Sequence, residues 1–425
     1  MRPLKIAMLT TFYPPHNFGG DGIGIQRLSH GLARRGCEVT VIHDTDAWRV
    51  LADGSEPEPG TEPSGVRVIR LRSRLPLVST FLTQQLGRPV VNGNRIAELL
   101  EQGDFDIVNF HNVSLIGGPG LWKYGRGLKL HMAHEHWLVC PMHVLWRMGR
   151  ERCDEQRCLP CTLAHKRPPQ LWRWTDYLER EAHHVDSFIA MSEFSRQKHA
   201  EFGFTREMDV LPYFLPDLDA ESPGDAAEEP PVHDRPFFLF VGRLERIKGL
   251  DEVIRAFPKV TGADLLIAGD GDYAATLRAL AAGNSRIHFL GRVDSARLSR
   301  YYKQALALVV PSVCFETFGI ILIEAFRQGT PVIARRLGPF PEIVEAAGSG
   351  DLFETEDDLV ASLRRFLGDS ERRERLGAQG REAFNRRWCE SVVVPGYLEI
   401  VARAANRRGN ADLATRARTI GAYTA

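Results

Sequence analysis

The chain has 425 residues, more than one hydrophobic core comfortably serves, and predicts two domains of roughly 200 residues each. Its 54 basic residues balance 54 acidic ones, which leaves no net field of the kind that draws a protein to DNA or RNA. No apolar run approaches the roughly 18 to 20 residues that span a bilayer, and Met1-Arg-Pro-Leu-Lys5 leads directly into a strand, so neither a transmembrane helix nor a signal peptide is expected and the expected location is cytoplasmic.

Lys5 to Thr10 reads as an apolar strand. A glycine loop follows, with glycines at 19, 20, 22 and 24, and then a helix carrying Ile25, Leu28 and Leu32 on one face. Glu38 to His43 supplies the next strand, which makes the opening a βαβ unit of a parallel sheet. From Gly20 the loop reads G-x-G-x-G, not the G-x-G-x-x-G dinucleotide fingerprint, and Asp44 matches only loosely the acid expected after the second strand. Residues 53 to 65 form a polar loop rich in Pro and Gly. Strands are predicted at 66–71, 107–110, 128–133 and 188–191, with a helix around 94–102. His111 and His134 each follow a strand, and ligands of open α/β sheets bind at the carboxyl ends of strands.

Seven cysteines are present, four of them at 140, 153, 158 and 161 with the spacing C-x12-C-x4-C-x2-C. Four thiolates ending in C-x-x-C suit a closed tetrahedral site for structural zinc, formed by Cys140, Cys153, Cys158 and Cys161, with His143 able to replace one ligand. Free thiols or a redox pair are the other readings. Beyond them lies a basic, aromatic stretch, Lys166 to Tyr177. Its Trp172 and Trp174 are available to an acceptor or to peripheral contact with a membrane surface, or to packing against the domain. Ser192 is placed to cap a helix.

The first domain is expected to span 1–215, followed by a linker at 216–236 rich in Asp, Glu, Pro and Ala, a second domain at 237–390, and a terminal helix at 391–410. Residues after Asn410 are expected to be poorly ordered. The second domain opens with a strand at 237–241, then Gly242-Arg243 and, five residues on, Lys248; two cations in a glycine-bounded loop can converge on one diphosphate. Strands recur at 264–268, 287–290, 305–310 and 331–334, with Val293 just beyond the second of these. A helix is expected from about Thr317, with Glu316 at its mouth and Glu324 two turns on at about 3.6 residues per turn. The N–H groups of Phe318, Gly319 and Ile320 form its phosphate-friendly end, while the two acids suit hydroxyl groups. Alternating strands and helices predict two doubly wound α/β domains facing a cleft.

The segment Glu316-Thr-Phe-Gly-Ile-Ile-Leu-Ile-Glu324 resembles the E-x7-E motif of glycosyltransferase family 4. Gly242-Arg243 with Lys248 is similar to that family's basic pair, and Gly19-Gly20 to its glycine loop. His134-Glu-His-Trp-Leu-Val-Cys140-Pro is similar to its H-D-x-W-x-x-C-P segment, departing at Glu135 and His136; Pro-Phe-Pro-Glu342 departs from its commoner glycine pair. The resemblance covers almost the whole chain and implies the GT-B architecture of two Rossmann-like domains, with the terminal helix crossing back to the first.

It further implies a retaining hexosyl- or related glycosyltransferase, moving sugar from a nucleotide diphosphate sugar to an acceptor hydroxyl without a catalytic metal. By the resemblance, His134, Arg243, Lys248 and Glu316 are catalytic. Gly19, Gly20, Gly242, Val293, Phe318, Gly319, Ile320 and Glu324 join Arg243, Lys248 and Glu316 around the donor, Glu324 holding the ribose. Other readings on the same fold are a nucleotide-sugar epimerase or phosphorylase, and a zinc-stabilised protein that binds a sugar nucleotide without turning it over.

Overall fold

A computed structural model describes residues 2–52, 56–58, 60–218 and 230–422. The chain divides into two compact units, Met1–Phe214 with Glu390–Ala425, and Leu215–Cys389.

The first unit holds a seven-stranded parallel sheet. Its strands are β1 (Lys5–Thr10), β2 (Glu38–Asp44), β3 (Val66–Leu71), β4 (Ile107–Phe110), β5 (Leu128–Ala133), β8 (Ser187–Ala190) and β9 (Met208–Val210), in the order β3-β2-β1-β4-β5-β8-β9. A two-stranded hairpin, β6 (Trp146–Arg147) and β7 (Glu151–Arg152), stands apart in the cysteine-bearing segment. Strands β1, β4 and β5 are almost wholly buried, as their continuous apolar runs require of a sheet covered on both faces. The helix Gly20–Arg34 buries Ile25, Leu28 and Leu32, the face its periodicity predicts.

The second unit repeats the plan. Its strands are β10 (Phe237–Val241), β11 (Asp264–Ala268), β12 (Ile287–Gly291), β13 (Leu308–Val310), β14 (Val332–Arg335) and β15 (Gly350–Phe353), all parallel, in the order β12-β11-β10-β13-β14-β15. Phe238, Val253, Phe257, Leu265, Ile267, Val309 and Phe366 sit in one core between this sheet and its helices. In each sheet the chain starts in the middle, builds to one side, and then crosses to the other. The order therefore reverses between β1 and β4 in the first unit and between β10 and β13 in the second, the position where doubly wound folds hold ligands.

Several boundaries differ from expectation. The helix predicted from Thr317 begins at Ile320, because Gly319 at φ 117° turns the chain immediately before it. The strand predicted from Ala305 is the shorter β13. Of the predicted linker, residues 219–229 lie outside the described residues, as do 53–55 and 59 of the polar loop.

The terminal helix runs Glu390–Arg407 and belongs to the first unit. It buries Tyr397, Leu398 and Ile400, and Asn109 of β4 donates to the Tyr397 hydroxyl at 3.2 Å. The expectation of disorder after Asn410 is overturned: Ala411–Ala422 is a further helix. Its Arg416 reaches both oxygens of Asp106 at 3.0 Å, a bidentate contact that fastens it to the start of the sheet.

Candidate active site

In the second unit, the loops leaving β10 and β13 meet where the strand order reverses. Val313 N donates to Ile247 O at 2.9 Å, joining the two loops by their backbones. Gly249 makes that approach possible: it holds φ 66°, and a Cβ there would stand 2.2 Å from the carbonyl oxygen of Pro311. The same approach brings Lys248 Nζ to 2.6 Å from Glu316 Oε1, and Ser312 Oγ donates to that oxygen at 3.1 Å.

Both charged side chains are largely buried, at 21% and 24% exposure. Burial alone would push the Glu316 carboxyl up, but the charge and hydrogen bond of Lys248, then Ser312 and Arg243, outweigh it and hold the group below its ordinary value. For Lys248 burial pulls down, and Glu316 more than restores it, so the ammonium is held above its ordinary value. The pair is therefore ionised, a cation and an anion fixed together at the carboxyl end of the sheet.

The other predicted residues of this unit cluster on the same edge. Gly242 and Arg243 follow β10, and Arg243 pairs with Glu245 at 2.6 Å while remaining well exposed. Val293 follows β12 and is half-buried. Phe318 is buried and Gly319 and Ile320 open the helix Ile320–Gln328. Gly319 lies against the ring of Phe340, which a Cβ would approach to 2.8 Å; the departure at Pro339-Phe340 and this glycine fit one another. Glu316 sits in the loop, and Glu324 alone of the two acids is on the helix, where Tyr302 donates to its Oε2 at 2.9 Å. A buried tyrosine so placed fixes the carboxylate's orientation.

In the first unit, His111 and His134 stand just past β4 and β5, and Gly19 caps the helix that Gly20 opens. The two imidazoles are buried and form one chain with Met8 and Tyr213. His111 Nε2 lies 3.2 Å from Met8 Sδ, His111 Nδ1 lies 2.9 Å from His134 Nε2, and His134 Nδ1 lies 2.6 Å from the Tyr213 hydroxyl.

A thioether can only accept, so His111 Nε2 carries a proton. Its Nδ1 then accepts from His134 Nε2–H, and His134 Nδ1 accepts from Tyr213. Burial holds both histidines below their ordinary value and Tyr213 above its own, so the network is neutral throughout. Gly24 gives Tyr213 its place, since a Cβ there would lie 2.4 Å from the ring. Asp21, in the first turn of the same helix, accepts from Asn112 Nδ2 at 3.2 Å. Asp44, the loose match to an acid after the second strand, is buried and caps the next helix, accepting from Asp46 N at 2.8 Å.

Sequence reasoning left Tyr213, Asp21, Ser312 and Tyr302 unassigned. Gly24, a glycine inside a helix, was the one available signal for Tyr213.

The cysteine segment departs from the expected zinc site. Among the described residues, the group whose ligand atoms all lie within 4.8 Å of one another is His233, Asp264 and His288; Cys140, Cys153, Cys158 and Cys161 form no such group. Cys161 Sγ instead accepts from Met148 N at 3.2 Å, Cys153 Sγ donates to Glu155 O at 3.1 Å, and burial holds the Cys140, Cys153 and Cys158 thiols above their ordinary value. His143, the alternative ligand, pairs with Glu135 at 2.8 Å. This geometry does not support structural zinc. Trp172 is buried under Arg173, whereas Trp174 is exposed. No helix among the described residues is long and apolar enough to cross a membrane.

Residues 18–215 match Glycosyltransferase Family 4, and residues 223–383 match Glycosyl transferases group 1. A D-inositol 3-phosphate glycosyltransferase of Thermobifida fusca is 33% identical, over 85% of this chain and 83% of its own. Among solved structures, a sucrose-phosphate synthase from Thermosynechococcus elongatus aligns with a TM-score of 0.71 at 21% identity, covering 95% of this chain and all of that one. Anabaena HepE in complex with UDP aligns with a TM-score of 0.64 at 14% identity, covering 94% and 100%.

Proposed function

Since the chain belongs to the glycosyltransferases built from a Family 4 and a group 1 domain, with the GT-B fold, we propose that it moves a sugar from a nucleotide diphosphate sugar to an acceptor hydroxyl with retention at the anomeric carbon. The observation that carries this reading is the ionised Lys248–Glu316 pair at the strand-order reversal of the second unit.

Glycosyl transfer must support a cationic sugar and an anionic leaving group at once. Lys248 and Arg243, with the backbone end at Phe318, Gly319 and Ile320, stabilise the departing diphosphate; Arg243 gives up Glu245 to do so. Glu316 contacts the transferred sugar, and Glu324, steadied by Tyr302, holds the ribose hydroxyls. The bond from the anomeric carbon to the phosphate oxygen breaks and its electron pair leaves with the diphosphate. The acceptor oxygen bonds to the same face, and the departing phosphate takes its proton. In this reading two cations and a helix end do the work a divalent ion would otherwise do.

The second unit takes the donor, with Gly242 and Val293 lining it, and the first unit selects the acceptor. His134 orients the sugar or the acceptor through its carbonyl, because its ring is committed to His111 and Tyr213. The site of action is cytoplasmic, with exposed Trp174 available for peripheral membrane contact.

Turnover of a panel of nucleotide sugars with hydroxyl acceptors, followed by NMR of the product's anomeric carbon, tests this. Glu316→Gln and Lys248→Ala should each lower kcat by about 100- to 1000-fold. Unchanged turnover in both, or an inverted product, would sink the assignment.

A further inference from the structure

A second cluster of side chains lies at the other end of the second unit's sheet, where its strands begin. Asp264 is the first residue of β11. His288 is the second residue of the edge strand β12, and register pairs it with Leu266, which places it on the same face of the sheet as Asp264. His233 belongs to the segment that leads into β10, which is tied to β11 by Asp264 N donating to Pro236 O at 2.9 Å.

Nε2 of His233 stands 2.8 Å from Asp264 Oδ2, and Nε2 of His288 stands 3.1 Å from the same oxygen. Two ligands of a tetrahedral cation with bonds of about 2.1 Å lie about 3.4 Å apart, so each imidazole need only draw back from Oδ2 by roughly 0.3 to 0.6 Å to admit an ion. Arg235 Nε lies 3.0 Å from the carboxylate's other oxygen, Oδ1, an ion-pair contact without hydrogen-bond alignment that leaves Oδ2 to the imidazoles. Asp264 is nearly inaccessible, but the imidazoles are 22% and 37% exposed, so an ion can arrive from the solvent side and keep water on its remaining positions.

We propose that His233, Asp264 and His288 bind a late first-row divalent cation, Zn2+ suiting the two imidazoles and one carboxylate best, and that the ion ties the segment entering the second unit to the edge of its sheet. Without the ion, Oδ2 accepts an N–H from each imidazole; binding requires each ring proton to sit on Nδ1, which frees Nε2 for the ion. Arg235 lowers the affinity by its charge without occupying Oδ2. The site is separate from the carboxyl-end loops proposed for the donor and does not depend on that reading.

The test is a titration of the chelator-treated full chain with CoCl2, then ZnCl2 in competition. One equivalent of cobalt should bind with no thiolate-to-cobalt charge-transfer absorption, which marks the ion as not held by the cysteine segment. His233→Ala and His288→Ala, both at accessible positions, should each weaken binding at least tenfold, and chelator should lower Tm in the parent chain but not in either variant. Failure to bind, binding with the thiolate signature alone, or affinity unchanged in either variant would overturn the proposal.

Discussion

Tyr213 and His134 show how one residue's role depends on a neighbour distant in sequence. The proton direction from Tyr213 through His134 and His111 to the Met8 sulfur is set at its far end, by an atom that can only accept. Replacing Tyr213 with Phe removes the donor to His134 Nδ1 and leaves a buried nitrogen without that hydrogen bond. The expected cost is about 1–3 kcal/mol, read as a lowered urea midpoint with an unchanged slope. An unaltered midpoint would mean that this contact contributes nothing to the first unit.

Lys248 and Glu316 were legible from residue type and from position after strands. Their contact was not, because it depends on Gly249 meeting Pro311, 62 positions further along the sequence, about which periodicity is silent.

At the scale of elements, buried strands were the clearest signal. Lys5–Thr10, Ile107–Phe110, Leu128–Ala133, Phe237–Val241 and Asp264–Ala268 all stand where their apolar runs put them, and Val66–Leu71, buried only at Leu71, stands where it was expected too. The helix Pro76–Leu86 escaped notice because Leu77, Val78 and Phe81 lie on its exposed side, against the amphipathic rule by which surface helices are recognised. Thr45–Leu51 escaped because it begins the moment β2 ends, with Asp44 as cap and no glycine or proline between. The helix Ala411–Ala422 depends on Arg416 finding Asp106, a pairing across the whole first unit. The loop pair at the candidate site is an element in its own right, and Gly249→Ala tests it. A methyl 2.2 Å from a carbonyl oxygen, at a φ of 66°, must push the two loops apart. The variant should lose about 1–3 kcal/mol of stability and bind nucleoside diphosphates at least tenfold more weakly; normal affinity would show that the Lys248–Glu316 contact does not depend on this approach.

At the scale of the molecule, the first unit buries several neutral histidines. Burial lowers His43 and His131 to about 3 and His199 to about 4, and lowers His111 and His134 as well. An unfolded histidine takes up its proton near 6.5, so between that value and the lower folded ones the unfolded chain binds more protons and stability falls as pH falls. Asp44, raised to about 7 by burial, acts in the other direction, since it keeps its proton in the fold and releases it on unfolding. Several histidines against one aspartate leave a net uptake. The Tm of the first unit should therefore drop from pH 6.5 to pH 5, and His131→Asn should make that decline shallower; a Tm that rises over this interval would contradict the assignment of these histidines as neutral.

Each sheet reverses its strand order once, and in the proposed reading Lys248, Glu316 and Arg243 hold the donor beside the reversal in the second unit. The most direct measurement is calorimetric titration of UDP, GDP and ADP into the parent chain, Lys248→Ala and Arg243→Ala. At least one nucleoside diphosphate should bind the parent chain, raise its stability by about 2.7 kcal/mol at a hundred times Kd, and lose tenfold or more in affinity in each variant. Failure of all three to bind, or equal affinity in parent and variants, would contradict the account.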